Sequence, residues 1–413
     1  MCLGSRSSTQ EMPPIALPLI GALIAFSLAL LLVLRKVNIG LALVLGALVL
    51  SLFSLTPRGI LDTLIAAVSD RATLELATTV GIVIILCFIY EESGMMRQMM
   101  ESLEHLIADR RIIAALTPAV FGLFNVLGGA LFSAPFVESE GNRLGLNSEQ
   151  KAYVNLWFRH VLFFIYPLDT ALVTASYLSG FTIASILLYQ LPIFLVALAV
   201  GYLTVIRPVK RDHGPVDRSR HWVKKLFVSS SPISVAVLLT LGCGVPIYLS
   251  VLAALTVLLA VSTPGPQVLG RVLRKRLIPE MIATAFGVMI FRHFIDASHA
   301  FESVSLMVGD GTVAPILLST LIPGAIGFLL GFPAGAIALS VPLMESMYTL
   351  TPVMVALIYT SMYVGHNPSP IHLCFAVTCQ YFKTRISRLY RLLLPALLAV
   401  LATAMALTWL FSP

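Results

Sequence analysis

From Ile15 to Leu34, and again from Val235 to Val261, the chain carries no charged residue. Runs of this length suit the hydrocarbon core of a bilayer, which takes about 20 apolar residues in helical form. Neither run alternates apolar with polar residues, so the pattern of a membrane barrel is excluded. Lipid offers no partner for backbone N–H and C=O groups, which leaves helices as the spanning element. Composition agrees: 58% of the 413 residues are hydrophobic and 11% are charged, against roughly a quarter charged in an ordinary soluble chain. The expected fold class is an all-α polytopic membrane protein.

Spans are expected at Ile15–Leu34, Ile39–Leu55, Leu74–Tyr90, Ala152–Leu178, Ile183–Ile206, Val228–Val245, Tyr248–Val261, Ile278–Ile295, Pro352–Cys379 and Leu389–Phe411. Ile60–Ser69 and Gly94–Ala108 are more amphipathic and suit an interface. Two further apolar stretches, Ile112–Val137 and Val313–Met344, hold Gly and Pro in their middles. Each reads as a re-entrant hairpin, broken at Asn125–Gly129 and at Gly331–Gly335. Non-helical backbone at membrane depth is tolerated only where protein or a water-filled cavity satisfies it.

Basic residues test this reading. With the N-terminus outside and ten crossings, only Arg6, Arg58 and Arg71 of the 27 basic residues fall outside, while Arg159 and Arg292 fall within spans. All the others lie inside, as the positive-inside bias requires. Both termini are then outside a multi-pass cell-membrane protein, and a basic linker over 208–227 is cytoplasmic. The net charge of +7 belongs to these loops, so no nucleic-acid face is implied. Residues 1–14 form a polar tail without the features of a cleaved signal peptide. The five cysteines contain no CxxC pair and read as small thiols rather than metal or redox groups.

The two halves, 15–207 and 228–413, resemble each other. Leu76-Ala77-Thr78-Thr79-Val80-Gly81 answers to Ile282-Ala283-Thr284-Ala285-Phe286-Gly287. Pro118 and Gly122 of the first hairpin answer to Pro323 and Gly327 of the second, and Ser133-Ala134-Pro135 to Ser340-Val341-Pro342. A Pro-interrupted span follows each hairpin, broken at Tyr166–Thr170 and at Gly365–Pro370. Five crossings per half is an odd number, so the second half is inverted. Inverted repeats with paired interrupted segments point to a secondary transporter and its site.

A broken helix presents unpaired N–H groups that favour an anion, and unwound carbonyls that favour a cation. The candidate substrate-binding residues are therefore Asn125, Gly128, Gly129, Ser133, Arg159, Pro333, Gly335, Asn367 and Ser369. Small residues also serve close helix packing, which is the plain alternative for the glycines. Ionisable groups inside spans are costly and mark function. Asp169, Thr170 and His366 are candidates for a coupling ion or proton relay, with an N-cap as the plain alternative for Asp169. Arg292, Asp296 and His299 share a helix face and are either a polar pathway or an ordinary intrahelical pair.

Gly128-Gly129-Ala130-Leu131-Phe132-Ser133-Ala134-Pro135, then Arg143-Leu144-Gly145-Leu146, then Asn155-Leu156-Trp157-Phe158-Arg159-His160 resemble the prokaryotic membrane family "domain of unknown function 401". That family is grouped with the ion transporter superfamily, alongside gluconate permeases, citrate and dicarboxylate carriers, and arsenite and sodium–proton antiporters. The resemblance implies a homodimeric, elevator-like carrier whose hairpins and broken spans move with the substrate. Leu127 stands where the family often has Pro, and the Ser-Asn-Thr tip signature of the dicarboxylate–sodium branch is absent.

The leading expectation is an ion-coupled secondary transporter for a small organic anion, a carboxylate or sugar acid. It needs no cofactor and no metal beyond a coupling Na⁺ or H⁺. A cation–proton antiporter using Asp169 and Asp296 is the first alternative. An intramembrane enzyme is the second, although HExxH and Gly-x-Ser-x-Gly motifs are missing.

Overall fold

The computed structural model describes residues 16–124, 129–210, 212, 216–217, 219–300 and 313–412. Asn125, Gly128 and the polar tail lie outside these residues. Among the described residues there are nineteen α-helices and no strand. Seven are long and apolar enough to cross a bilayer, so the chain is a polytopic membrane protein.

The first half runs α1 (Ala16–Leu34), α2 (Ile39–Ser54), α3 (Pro57–Ser69), α4 (Arg71–Glu92), α5 (Met95–Leu106), α6 (Arg110–Gly122), α7 (Ala130–Arg143), α8 (Ser148–Val161), α9 (Thr170–Ser179) and α10 (Ile183–Gly201). The second runs α11 (Arg220–Val237), α12 (Ile247–Ser262), α13 (Pro266–Leu273), α14 (Leu277–Ser298), α15 (Val313–Leu330), α16 (Pro333–Glu345), α17 (Pro352–His366), α18 (Leu373–Tyr381) and α19 (Ile386–Phe411).

Two boundaries differ from expectation. The span expected from Val228 begins at Arg220, so the end of the basic linker is helical. The reason is packing against α5: the Trp222 ring stacks on His105 at 3.8 Å between centroids, and Lys225 lies 3.4 Å from Glu101. The connection after α12 holds an extra helix, α13. Arg271 at its end and Lys275 just beyond it both lie 3.2 Å from Glu92 of α4.

The second expected hairpin is helix–break–helix. α6 and α7 lie on either side of the first expected break, Asn125–Gly129, of which only Gly129 is among the described residues. α15 and α16 flank the second, which is confined to Gly331-Phe332 and is narrower than the sequence suggests. Pro333 opens α16 because the first helical position needs no N–H donor and suits a fixed φ. Gly335 therefore sits inside α16 rather than at the tip, packed against Ile39 and Phe332. α15 has 18 residues, about 27 Å at 1.5 Å per residue, long for one arm of a re-entrant loop. Gly331 has φ +60°, and a Cβ there would come 2.9 Å from the His372 nitrogen. Only glycine brings this tip onto the second broken span.

Both expected breaks in spans are present. α8 ends in a 3-10 turn at Leu162–Phe164, and Asp169 opens α9. α17 ends at His366, and α18 restarts at Leu373. The break lies after Asn367, whose backbone is still helical.

Hairpin and broken span meet through glycine in both halves. A Cβ on Gly122 would collide with the Arg159 carbonyl, and one on Gly327 with the Met362 carbonyl. Elsewhere, Gly40 of α2 and Gly287 of α14 lie backbone against backbone. Small residues permit such approach in lipid, where packing rather than the hydrophobic effect joins helices.

Gly287→Ala is expected to lower the thermal unfolding midpoint of the detergent-solubilised protein. Overpacking costs about 1–3 kcal/mol or more, which outweighs the gain in helix propensity of about 1 kcal/mol. Gly270→Ala, where nothing lies within 4 Å, should leave the midpoint unchanged or raise it.

Candidate functional site

The second hairpin tip and the two broken spans line a cavity of about 130 Å³. The first broken span lends it Arg159, His160, Asp169 and Thr170. The second hairpin tip lends Gly331 to Ala334, and the second broken span lends Tyr363, His366, His372 and Cys374. Apolar walls come from Ile84 of α4 and from Leu277 and Met281 of α14.

Arg159 sits near the end of α8, just before the helix breaks, and is 2% exposed. Its Nη2 donates only to the Phe124 carbonyl, at 3.5 Å, and its Nε and Nη1 have no partner among the described residues. Gly129 opens the second arm of the first hairpin beside it. A Cβ there would come 3.0 Å from Nη1, so glycine leaves the guanidinium its place. A buried guanidinium with idle donors is costly, and its planar fork matches a carboxylate.

Asp169 is the opposite case. Its Oδ1 accepts from the backbone nitrogens of Ala171 and Leu172, both at 3.0 Å, and from the Tyr359 hydroxyl at 2.9 Å. Its Oδ2 accepts from the Tyr363 hydroxyl at 3.2 Å. The carboxylate is thus the N-cap of α9, at the positive end of the helix dipole. Through the tyrosines it also ties the first broken span to α17.

Three imidazoles gather at the far wall. The His366 and His372 rings are 3.8 Å apart, and the His160 ring is 4.9 Å from His372. The Nδ1 of His366 has no hydrogen-bond partner among the described residues.

Of the residues singled out by sequence, the structure brings Arg159, Asp169, Thr170, Pro333 and His366 to the cavity wall, with Gly129 against Arg159. Others serve the fold nearby. The Ser133 hydroxyl donates to Asn155 at 2.7 Å, and that amide donates to the Ala130 carbonyl at 3.1 Å. The Ser369 hydroxyl donates to the Phe328 carbonyl at 2.6 Å, and the Asn367 amide donates to the Tyr363 carbonyl at 2.9 Å. Arg292 and Asp296 are not on the wall. Arg292 lies 3.4 Å from Glu345 of α16 and 4.0 Å from Asp296, the ordinary pair that their spacing allows. His299 ends α14 with φ +50°, also off the wall. Asn125 and Gly128 lie outside the described residues.

Sequence reasoning passed over Tyr359, Tyr363, His160 and Cys374 as site groups, and considered His372 only as a metal ligand, with His366 and Asp296, under the enzyme alternative. The tyrosines carry no charge to flag them inside a span. His372 and Cys374 stand two apart just after the second break, which was the available signal.

The family model described as "Protein of unknown function (DUF401)" matches residues 19–411, nearly the whole chain, and the chain belongs to that family. No curated protein matches it.

Asp169→Ala is expected to lower the unfolding midpoint, since loss of an N-cap costs about 0.5–2 kcal/mol and the Tyr363 hydroxyl loses its acceptor, while Tyr359 keeps the Phe163 carbonyl. Tyr363→Phe removes one bond to a charged group, worth about 1.5–3 kcal/mol. Asp169→Asn keeps an acceptor oxygen and should fall between wild type and Asp169→Ala.

Proposed function

We propose, with that family membership as the premise, that the protein is a secondary carrier which moves a small organic anion across the membrane. One observation carries the reading: Arg159 is buried at the wall of the central cavity with two donor nitrogens idle and no carboxylate paired to it among the described residues. An anionic solute supplies the missing acceptor, and cavity size restricts it to a small carboxylate or sugar acid. The open backbone at the start of α16 adds donors of the kind that favour negative charge.

Carriers need a site reachable from both sides in turn, and a cavity lined by the second hairpin tip and both broken spans, with Gly129 against Arg159, suits that need. The matched contacts at Gly122–Arg159 and Gly327–Met362 support reading 15–207 and 228–413 as inverted copies. In this proposal hairpins and broken spans move together, elevator-like, against a scaffold that includes α1, α2 and α14, within a homodimer. Coupling is to Na⁺ or H⁺, with Asp169 the one carboxylate on the cavity wall. The antiporter alternative is weaker, because Asp296 is not on that wall and pairs with Arg292. The protein is read as a carrier rather than an enzyme.

Purified protein in liposomes should accumulate a labelled small carboxylate when an ion gradient is imposed. Arg159→Gln should reduce uptake at least about tenfold, since a lost charged hydrogen bond costs about 1.5–3 kcal/mol. A protein indifferent to every organic anion offered, yet dissipating a Na⁺ or pH gradient, would instead be an antiporter.

A further inference from the structure

The cavity holds a second set of groups whose chemistry is not that of anion recognition. His160 of α8, and His372 and Cys374 at the start of α18, each offer one ligand atom, and the three atoms lie within 4.8 Å of one another. His160 and His372 are buried, and Cys374 is 9% exposed. We propose that these three residues bind a divalent transition-metal ion of the zinc class, with the fourth coordination position open to the cavity.

The tautomers suit the role. The Nδ1 of His160 lies 2.7 Å from the Leu156 carbonyl. A carbonyl cannot donate, so Nδ1 carries the hydrogen and Nε2 keeps its lone pair. The Nδ1 of His372 faces the Asn367 carbonyl at 3.5 Å, which favours the same state. Metal-ligating histidines commonly use their second nitrogen in this way, and the bond fixes ring orientation. Thiolate and imidazole together select zinc-like ions over Mg²⁺ or Ca²⁺, which require oxygen ligands. Tetrahedral coordination at about 2.0–2.3 Å places ligand atoms about 3.3–3.8 Å apart, so the cluster has to contract by roughly 1 Å, a side-chain movement.

His366 is an independent sign. It is 2% exposed, its ring is 3.8 Å from that of His372, and its Nδ1 is unpartnered among the described residues. A buried polar atom left so carries a desolvation cost. A water on the metal's open position would give it a partner. The ligands come from both broken spans, so the ion would clasp α8 to α18 and hold this arrangement of the cavity. Cys374 would bind as thiolate, its proton leaving to solvent. The proposal does not depend on the carrier reading, since binding is measured without transport.

Full-length, tag-free protein in detergent is titrated with Co²⁺ as the probe, and Zn²⁺ is then added in competition. One equivalent of Co²⁺ should give a thiolate-to-cobalt charge-transfer band with visible bands of tetrahedral intensity, and Zn²⁺ should remove both. Cys374→Ser should abolish the charge-transfer band. Cys379→Ser, a buried cysteine of the same helix outside the cluster, should leave it intact. His372→Ala should weaken Co²⁺ binding by no less than the ~10–100-fold typical of an outer-shell partner. X-ray absorption of the Zn²⁺-loaded wild type needs no variant, and should show one sulfur at about 2.3 Å and two imidazole nitrogens at about 2.0 Å. An oxygen-only shell, no charge-transfer band, or a band that survives Cys374→Ser would overturn the site.

Discussion

A helix interrupted inside a bilayer exposes carbonyls and N–H groups that lipid cannot satisfy. Among the described residues, the breaks of the second hairpin and of both broken spans are each answered by a specific side chain. At the first broken span the Tyr359 hydroxyl shares its one hydrogen between the Phe163 carbonyl and Asp169, each at 2.9 Å. The Phe328 carbonyl near the second hairpin tip accepts from Ser369 at 2.6 Å, and the Pro368 carbonyl at the second broken span accepts from Tyr390 at 2.6 Å. Asp169 takes the first free N–H groups of α9. The donors reach across elements, so the breaks are held by one another. This draws the second hairpin and the two broken spans around one cavity.

The breaks themselves were legible in the sequence because Gly and Pro mark them directly. Gly331-Phe332-Pro333 and Tyr166–Thr170 fall where punctuation by those residues puts them. The share of work among polar residues was not legible. Ser133, Asn367 and Ser369 look like site residues because they stand beside breaks, yet each donates to nearby protein. Position along the chain gives proximity to a break, whereas the direction of a side chain depends on which neighbour packs against it. Gly335 shows the same limit: one helical turn moves it from a tip to a packing contact with Ile39.

Phe-Arg-His occurs twice, as Phe158-Arg159-His160 and Phe291-Arg292-His293, and shows how far local sequence determines a site. In both copies the histidine Nδ1 lies against the carbonyl four residues earlier, Leu156 at 2.7 Å and Met289 at 2.9 Å. That geometry is set by the helix and is therefore repeated. The arginines diverge, because their partners are distant in sequence. Arg292 has Glu345 at 3.4 Å and Asp296 at 4.0 Å. Among the described residues Arg159 donates only to a carbonyl, at 3.5 Å.

Burying charge without a counter-ion is among the most costly arrangements a fold can hold. Asp169 does not relieve Arg159, although both line the same cavity, because two amides and two tyrosines already hold its carboxylate. In the carrier we propose, this division keeps the guanidinium available for a solute, since an internal Arg159–Asp169 pair would compete with the ligand at every cycle. An entering anion would then offset the cost of the idle charge.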